Sequence, residues 1–207
     1  MTRKINLSKI ATASTSAINQ SMKRYGGICV AGDYRMGRWV SQMTAVEIHA
    51  IWERYVERRL ITALNHGPSF FLVENDIRGV SRISAGFAAY LVRGGRQFFD
   101  FRSFAELLQT GDRLLGRDNN PFRVISNRQK QYVDCLAAIR NLVVHRSDAA
   151  AKSYRNQLRA IYGIVAAPEP QEFLNAIDYR SSSPSARMRR LYAFATVVTE
   201  VIEGTAR

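Results

Sequence analysis

The chain has 207 residues, 46% hydrophobic and 23% charged, which is ordinary globular usage and excludes a disordered or fibrous class. Thirty Lys and Arg against 17 Asp and Glu leave a formal net charge of +13, a balance that points to an anionic partner such as RNA, DNA or a lipid surface. Two cysteines are too few for a disulfide framework, no apolar signal segment opens the sequence, and the longest apolar run, LYAFATVV, is far short of a membrane span, so a reduced, cytoplasmic protein without membrane association is expected.

In chain order, residues 1–37 are rich in Ser, Thr, Gly and basic side chains and read as an N-terminal arm with at most a short helix at 16–24. GGICVAGDYRMGR lacks the G-K-[ST] ending of a phosphate loop and is assigned to a loop. A helix is predicted over 45–65, where Ile48, Ile51, Trp52, Tyr55, Val56, Leu60, Ile61 and Leu64 recur at helical spacing. Thr44 and Glu47 have the spacing of a capping box and Gly67-Pro68 stops the helix. Its Glu and Arg residues read as a solvated face, with His49 on the helix surface and His66 at its end.

Residues 69–120 look like an insertion. SFFLVEND suits a short strand or a helix end, RISAGFAAYLVRGG a helix stopped by Gly94-Gly95, and RQFFDF a short strand. SFAELLQTGDRLLG begins with Ser103 and Glu106 at capping-box spacing and is expected to kink or break at Gly111. Beyond Pro121 the pattern sharpens. NRQKQYVDCLAAIRNLVVH carries an apolar stripe through Val133, Leu136, Ala137, Val143 and Val144, and SDAAAKSYRNQLRAIYGIV follows with Ser147 or Asp148 as N-cap. A last helix, ARMRRLYAFATVVTEVIEG, is expected to end at Gly204. The fold class is therefore all-α, an antiparallel helical bundle over 38–207 with short strands in the insertion.

The segment AAIRNLVVHRSDAAAK carries the chemistry. A histidine can exchange a proton near neutral pH, and an arginine can grip a phosphate through two parallel hydrogen bonds. Together they meet the needs of metal-independent RNA cleavage, in which a base takes the proton of a 2′-hydroxyl that then attacks the adjacent phosphorus. Arg140 and His145 lie about 140° apart on a continuous helix, from the ~100° step per residue, so convergence requires the helix to end near His145 or a second subunit to supply the other half. Asn141, four residues before His145, shares its face and can orient the imidazole.

IRNLVVHRS resembles the R-N-x3-H form of the Arg-x4-6-His signature of HEPN domains, all-helical proteins that bind nucleotides or cleave RNA. The likeness spans residues 45–65, 121–163 and the final helix, and the subgroup it looks closest to is the RiboL-PSP type. It implies an endoribonuclease without metal or cofactor, acting in a toxin or phage-defence role as a homodimer. Its two motifs would share a cleft, with Arg140 holding phosphate, Asn141 supporting the site and His145 as general acid/base. An antitoxin or regulatory protein would be a further partner. One departure is Ser147, two positions after the histidine, where toxins paired with a nucleotidyltransferase carry tyrosine.

Arg146, Arg187, Arg189 and Arg190 are candidates for phosphate contact, the last three in the basic segment RSSSPSARMRR. His49 and His66 have no acidic or cysteine neighbours at ligand spacing, so no metal site is expected. Two rival readings keep Arg140 and His145 out of catalysis: a HEPN-like module that binds RNA, nucleotides or a protein without cutting, and a helical accessory subunit in which both residues are structural.

Overall fold

Ala11, Ile18, Met22 and Tyr25 are buried and recur on one helical face, and that stripe organises the first element. In the computed structural model, which describes residues 6–30, 34–179 and 188–206, α1 runs Leu7–Val30. Asn6 starts it by accepting a hydrogen bond from the Lys9 N–H at 3.0 Å. Ser14 and Ser21 donate back to the carbonyls of Ile10 and Ala17 at 2.9 and 3.0 Å, so side chains that elsewhere favour turns are satisfied inside the helix. An N-terminal arm with at most a short helix at 16–24 was expected here; α1 contains that segment and extends well beyond it on both sides.

α2 spans Tyr34–His66; of the glycine-containing stretch assigned to a loop, residues 26–30 close α1, 34–38 open α2, and 31–33 lie outside the described residues. Thr44 is therefore a buried residue inside the helix rather than its cap, and Glu47 instead pairs with Arg24 at 2.7 Å. His49 also departs from expectation: it is 3% exposed, because α2 buries a broad face that includes Ala45, Ile48, Ile51 and Trp52.

The expected strands of the insertion are absent. SFFLVE forms α3 (Ser69–Glu74), Ala85–Arg93 forms α4 and Phe104–Leu115 forms α5, followed by a 3-10 turn at Pro121–Val124. RQFFDF is irregular, and Phe99 and Phe101 contact one another at 5.6 Å between ring centroids without a ladder. α4 ends as anticipated on Gly94 in the left-handed conformation. Then follow α6 (Asn127–His145), α7 (Asp148–Tyr162), α8 (Pro170–Asn175) and α9 (Arg190–Thr205). The described residues thus form nine α-helices, and their sole β-type pairing is the isolated bridge between Ile177 and Arg189. None of these helices is long and apolar enough to cross a membrane.

The chain divides into two compact units. The first, Met1–Ser14, Trp52–Ile125 and Ile202–Arg207, is centred on fully buried Trp52, whose ring stacks on Phe104 and meets the edge of Phe122. Tyr55 donates its hydroxyl hydrogen to the Ile202 carbonyl at 2.9 Å. Arg59 donates to the Thr205 carbonyl at 2.7 Å. That bond satisfies a terminal carbonyl of α9, which runs through Gly204 rather than stopping there. Glu57 pairs with Arg93 at 2.5 Å.

Gly111 does not break α5. A Cβ at this position would sit 2.5 Å from Nδ2 of buried Asn120. Asn120 in turn donates to the Leu108 carbonyl and Asp112, and accepts from the Phe122 N–H. Asp112 also receives Arg123 Nε at 3.0 Å, and that hydrogen bond holds its carboxyl below the usual aspartate range. Alanine would gain about 1 kcal/mol of helix propensity yet collide with this network, an overpacking cost of about 1–3 kcal/mol. Gly111→Ala is therefore expected to lower the urea midpoint; a rise would show that Asn120 moves aside freely.

The second unit, Thr15–Ile51 and Ser126–Val201, holds α6, α7, α8 and most of α9. Tyr132, Tyr162, Phe173 and Phe194 contact one another in its core. The Tyr132 hydroxyl donates to buried Asp178 at 2.9 Å. α6 and α7 pack against each other as a helical hairpin.

Candidate active site

α6 begins with a full capping box, Ser126 accepting from the Gln129 N–H while Gln129 accepts from the Ser126 N–H at 3.1 Å. From Val133 to Ile139 its apolar side chains are buried. Exposure then rises toward the C-terminus: Arg140 and Asn141 are half-buried, and Val144, His145 and Arg146 face solvent. The helix stops because Arg146 adopts the left-handed conformation at φ 48°, with its N–H bonded to the Leu142 carbonyl at 3.0 Å. That conformation costs a non-glycine residue about 1–2 kcal/mol. Ser147 caps α7 by accepting from the Ala150 N–H at 3.2 Å, so only two residues separate the helices.

The requirement for convergence is met at this terminus. Arg140 Nη1 lies 3.2 Å from His145 Nε2 and 2.8 Å from Asn141 Oδ1. The long arginine side chain spans the angular gap to a ring on the last helical residue. A guanidinium only donates, so Nε2 is the acceptor and the neutral ring bonded in this way carries its proton on Nδ1. Asn141 accepts from the arginine rather than meeting the imidazole, and the guanidinium links the two side chains.

Beside this turn lies a cleft of about 690 Å³ within the second unit. Its lining comes from one face of each of three helices: Arg35, Arg38, Trp39 and Gln42 of α2, Leu142 and Val143 of α6 with Arg146 at its end, and Ala151, Tyr154 and Arg155 of α7. Residues 167–171 close it, with Glu169 the one carboxylate among its described lining residues. Arg35, Trp39, Arg146 and Arg155 are exposed, whereas Arg38 pairs with Glu172 at 3.1 Å. The floor is fixed by buried Tyr154, whose hydroxyl donates to the Pro168 carbonyl at 3.1 Å and is pushed to a higher pKa mainly by burial. Reading 1–37 as an arm concealed Arg35 and separated it from Trp39. The i, i+3, i+4, i+7 spacing of Arg35, Arg38, Trp39 and Gln42 was the signal available.

The other arginine candidates are placed differently. Arg189 donates to Tyr25 at 3.1 Å and to Asn175 at 3.4 Å, and Tyr25, mainly through burial, is pushed up to about 12. Arg190 lies over the rings of Phe173 and Tyr162, 4.4 and 4.9 Å from their centroids, a contact that offsets its unfavourable place at a helix N-terminus. Arg187 lies outside the described residues. His66 is exposed at the end of α2. Comparison of the chain with protein-family models, curated proteins and solved structures gives no match.

Proposed function

We propose that the chain is a metal-independent endoribonuclease of HEPN type, acting as a homodimer in a toxin or phage-defence role. The observation that supports this reading is the 3.2 Å approach of Arg140 Nη1 to His145 Nε2 at the solvent-facing end of α6. An entering phosphate competes for the guanidinium with a stronger, charge-assisted and bidentate bond. This releases the Nε2 lone pair to take the 2′-hydroxyl proton. The 2′-oxygen then bonds to phosphorus, the bond from phosphorus to the 5′-oxygen breaks, and the leaving oxygen takes a proton from the imidazolium of the second copy across the cleft. Arg140 stabilises the charge that builds on the phosphoryl oxygens between these events.

The products are a 2′,3′-cyclic phosphate and a 5′-hydroxyl. Purified protein incubated with a labelled tRNA or mRNA pool in excess chelator is expected to yield those ends, and to leave DNA of the same sequence intact because it lacks the nucleophile. A second reading, a module that binds RNA without cutting, draws on the same contact: the arginine occupies the lone pair a base would need. RNA that is retained by the folded dimer but emerges uncut would favour that module.

A further inference from the structure

Within the second unit, charge and aromatic surface meet in the cleft beside the Arg140–His145 pair. Four guanidinium groups and one carboxylate are found among its described lining residues, and Arg38 already pairs with Glu172 outside them. Arg35, Arg146 and Arg155 reach it from three different elements and are exposed. Trp39 lines the same cleft and is 58% exposed, although a tryptophan normally contributes its large apolar surface to a core or interface. Helical geometry relates the cleft to the catalytic pair. Asn141 and His145 share one face of the last turn of α6, Leu142 follows about 100° around it, and Arg146 continues directly from His145.

We propose that this cleft binds an unpaired nucleotide of single-stranded RNA, its base stacked on Trp39 and its phosphates held by Arg35, Arg146 and Arg155. The assignment deepens the ribonuclease reading by giving the substrate a path, but its recognition chemistry does not require cutting. Alternation of cationic and aromatic groups is how proteins hold single strands, because every base has a π face and every nucleotide a phosphate. A duplex fits poorly, since its bases are stacked on each other and present no free face to an indole. A volume of about 690 Å³ falls within the range of pockets that enclose a small organic ligand. Arg146 belongs to both places: its backbone ends α6 at His145 and its side chain lines the cleft, so a strand anchored here leads toward the catalytic turn.

The test uses the full chain and a short 2′-O-methyl oligoribonucleotide, which has no free 2′-hydroxyl and cannot be cut. Trp39 is the exposed member of the chain's two tryptophans, Trp52 being fully buried, so its emission reports directly. The single strand is expected to quench that emission, and Trp39→Phe to abolish the quench with unchanged circular dichroism. Trp39→Ala should weaken binding, followed by anisotropy of a labelled strand, about tenfold. Arg35→Glu and Arg155→Glu should each weaken it by at least a similar factor and flatten its salt dependence, and a blunt duplex of the same sequence should bind at least tenfold more weakly.

Absence of quenching at low salt by folded protein overturns the proposal, as does unchanged affinity in Trp39→Ala and Arg155→Glu, or equal binding of the duplex. Cutting of unmodified RNA without quenching would remove the cleft and leave the ribonuclease. Quenching without cutting would keep the cleft and remove the ribonuclease.

Discussion

His145→Ala is expected to lower the rate of RNA cleavage by about 10²–10⁴-fold, the usual contribution of a positioned acid/base, while binding of the uncut strand survives. The variant should fold, because His145 is exposed on the last residue of α6 and surface substitutions of this kind cost within about 0.5 kcal/mol. Arg140→Ala should cost about 10²–10³-fold in rate through the lost transition-state donor, and should also weaken binding because it removes a phosphate contact. Arg140→Lys restores the charge but not the planar fork that reaches Asn141 Oδ1 and His145 Nε2 together, so it should recover binding more fully than rate. Gel-resolved cleavage and anisotropy on the same preparations separate these outcomes. Equal rates for wild type and His145→Ala would sink the assignment of His145, and equal loss of binding and cleavage in both variants would make the pair a binding element alone.

The helical hairpin that carries this pair was the most legible part of the chain. The helical segment from Asn127 to His145 and the cap at Ser147 are local signals, each decided within a few residues, and the structure keeps the expected bounds of α6; of the expected stripe, Val133, Leu136 and Ala137 are buried, whereas Val143 is half-buried and Val144 faces solvent. The approach of Arg140 to His145 was legible only as a condition, since it depended on where the helix stopped. No glycine marked that stop: Arg146 turns the chain in a left-handed conformation that composition does not announce. α1 was read only as a short helix at 16–24 because its serines and threonines were weighed as loop formers, whereas the four-residue spacing of Ile18 and Met22 and the return to Tyr25 record a buried face of a longer element. Gly111 was misread for a related reason. A glycine in a helix suggests a break, but here the missing Cβ makes room for Asn120, a partner nine residues away that no helical pattern could foretell.

Trp52→Ala is expected to be the most destabilising single substitution considered, costing about 3–5 kcal/mol, a large share of the roughly 5–15 kcal/mol by which a domain is stable. Trp52 is fully buried, stacked on Phe104 at 12° and set edge-on to Phe122 at 85°, with Tyr55 on the same helix 6.1 Å away between centroids. Truncation leaves a void that α5 and the 3-10 turn cannot both close, because Asn120 bonds to Leu108, Asp112 and the Phe122 N–H and so ties the two elements together. Trp52→Phe tests the same site with opposing effects. It loses part of the ring volume, yet it also removes an indole N–H that is buried and meets no hydrogen-bond acceptor among the described residues, and such an orphaned donor costs about 1–3 kcal/mol. The phenylalanine variant should therefore stay within about 2 kcal/mol of wild type. Urea midpoints of the three proteins give the comparison. A phenylalanine variant as unstable as the alanine variant would mean that the indole N–H is satisfied in solution, and a near-neutral alanine variant would mean that Phe104 and Phe122 collapse into the space.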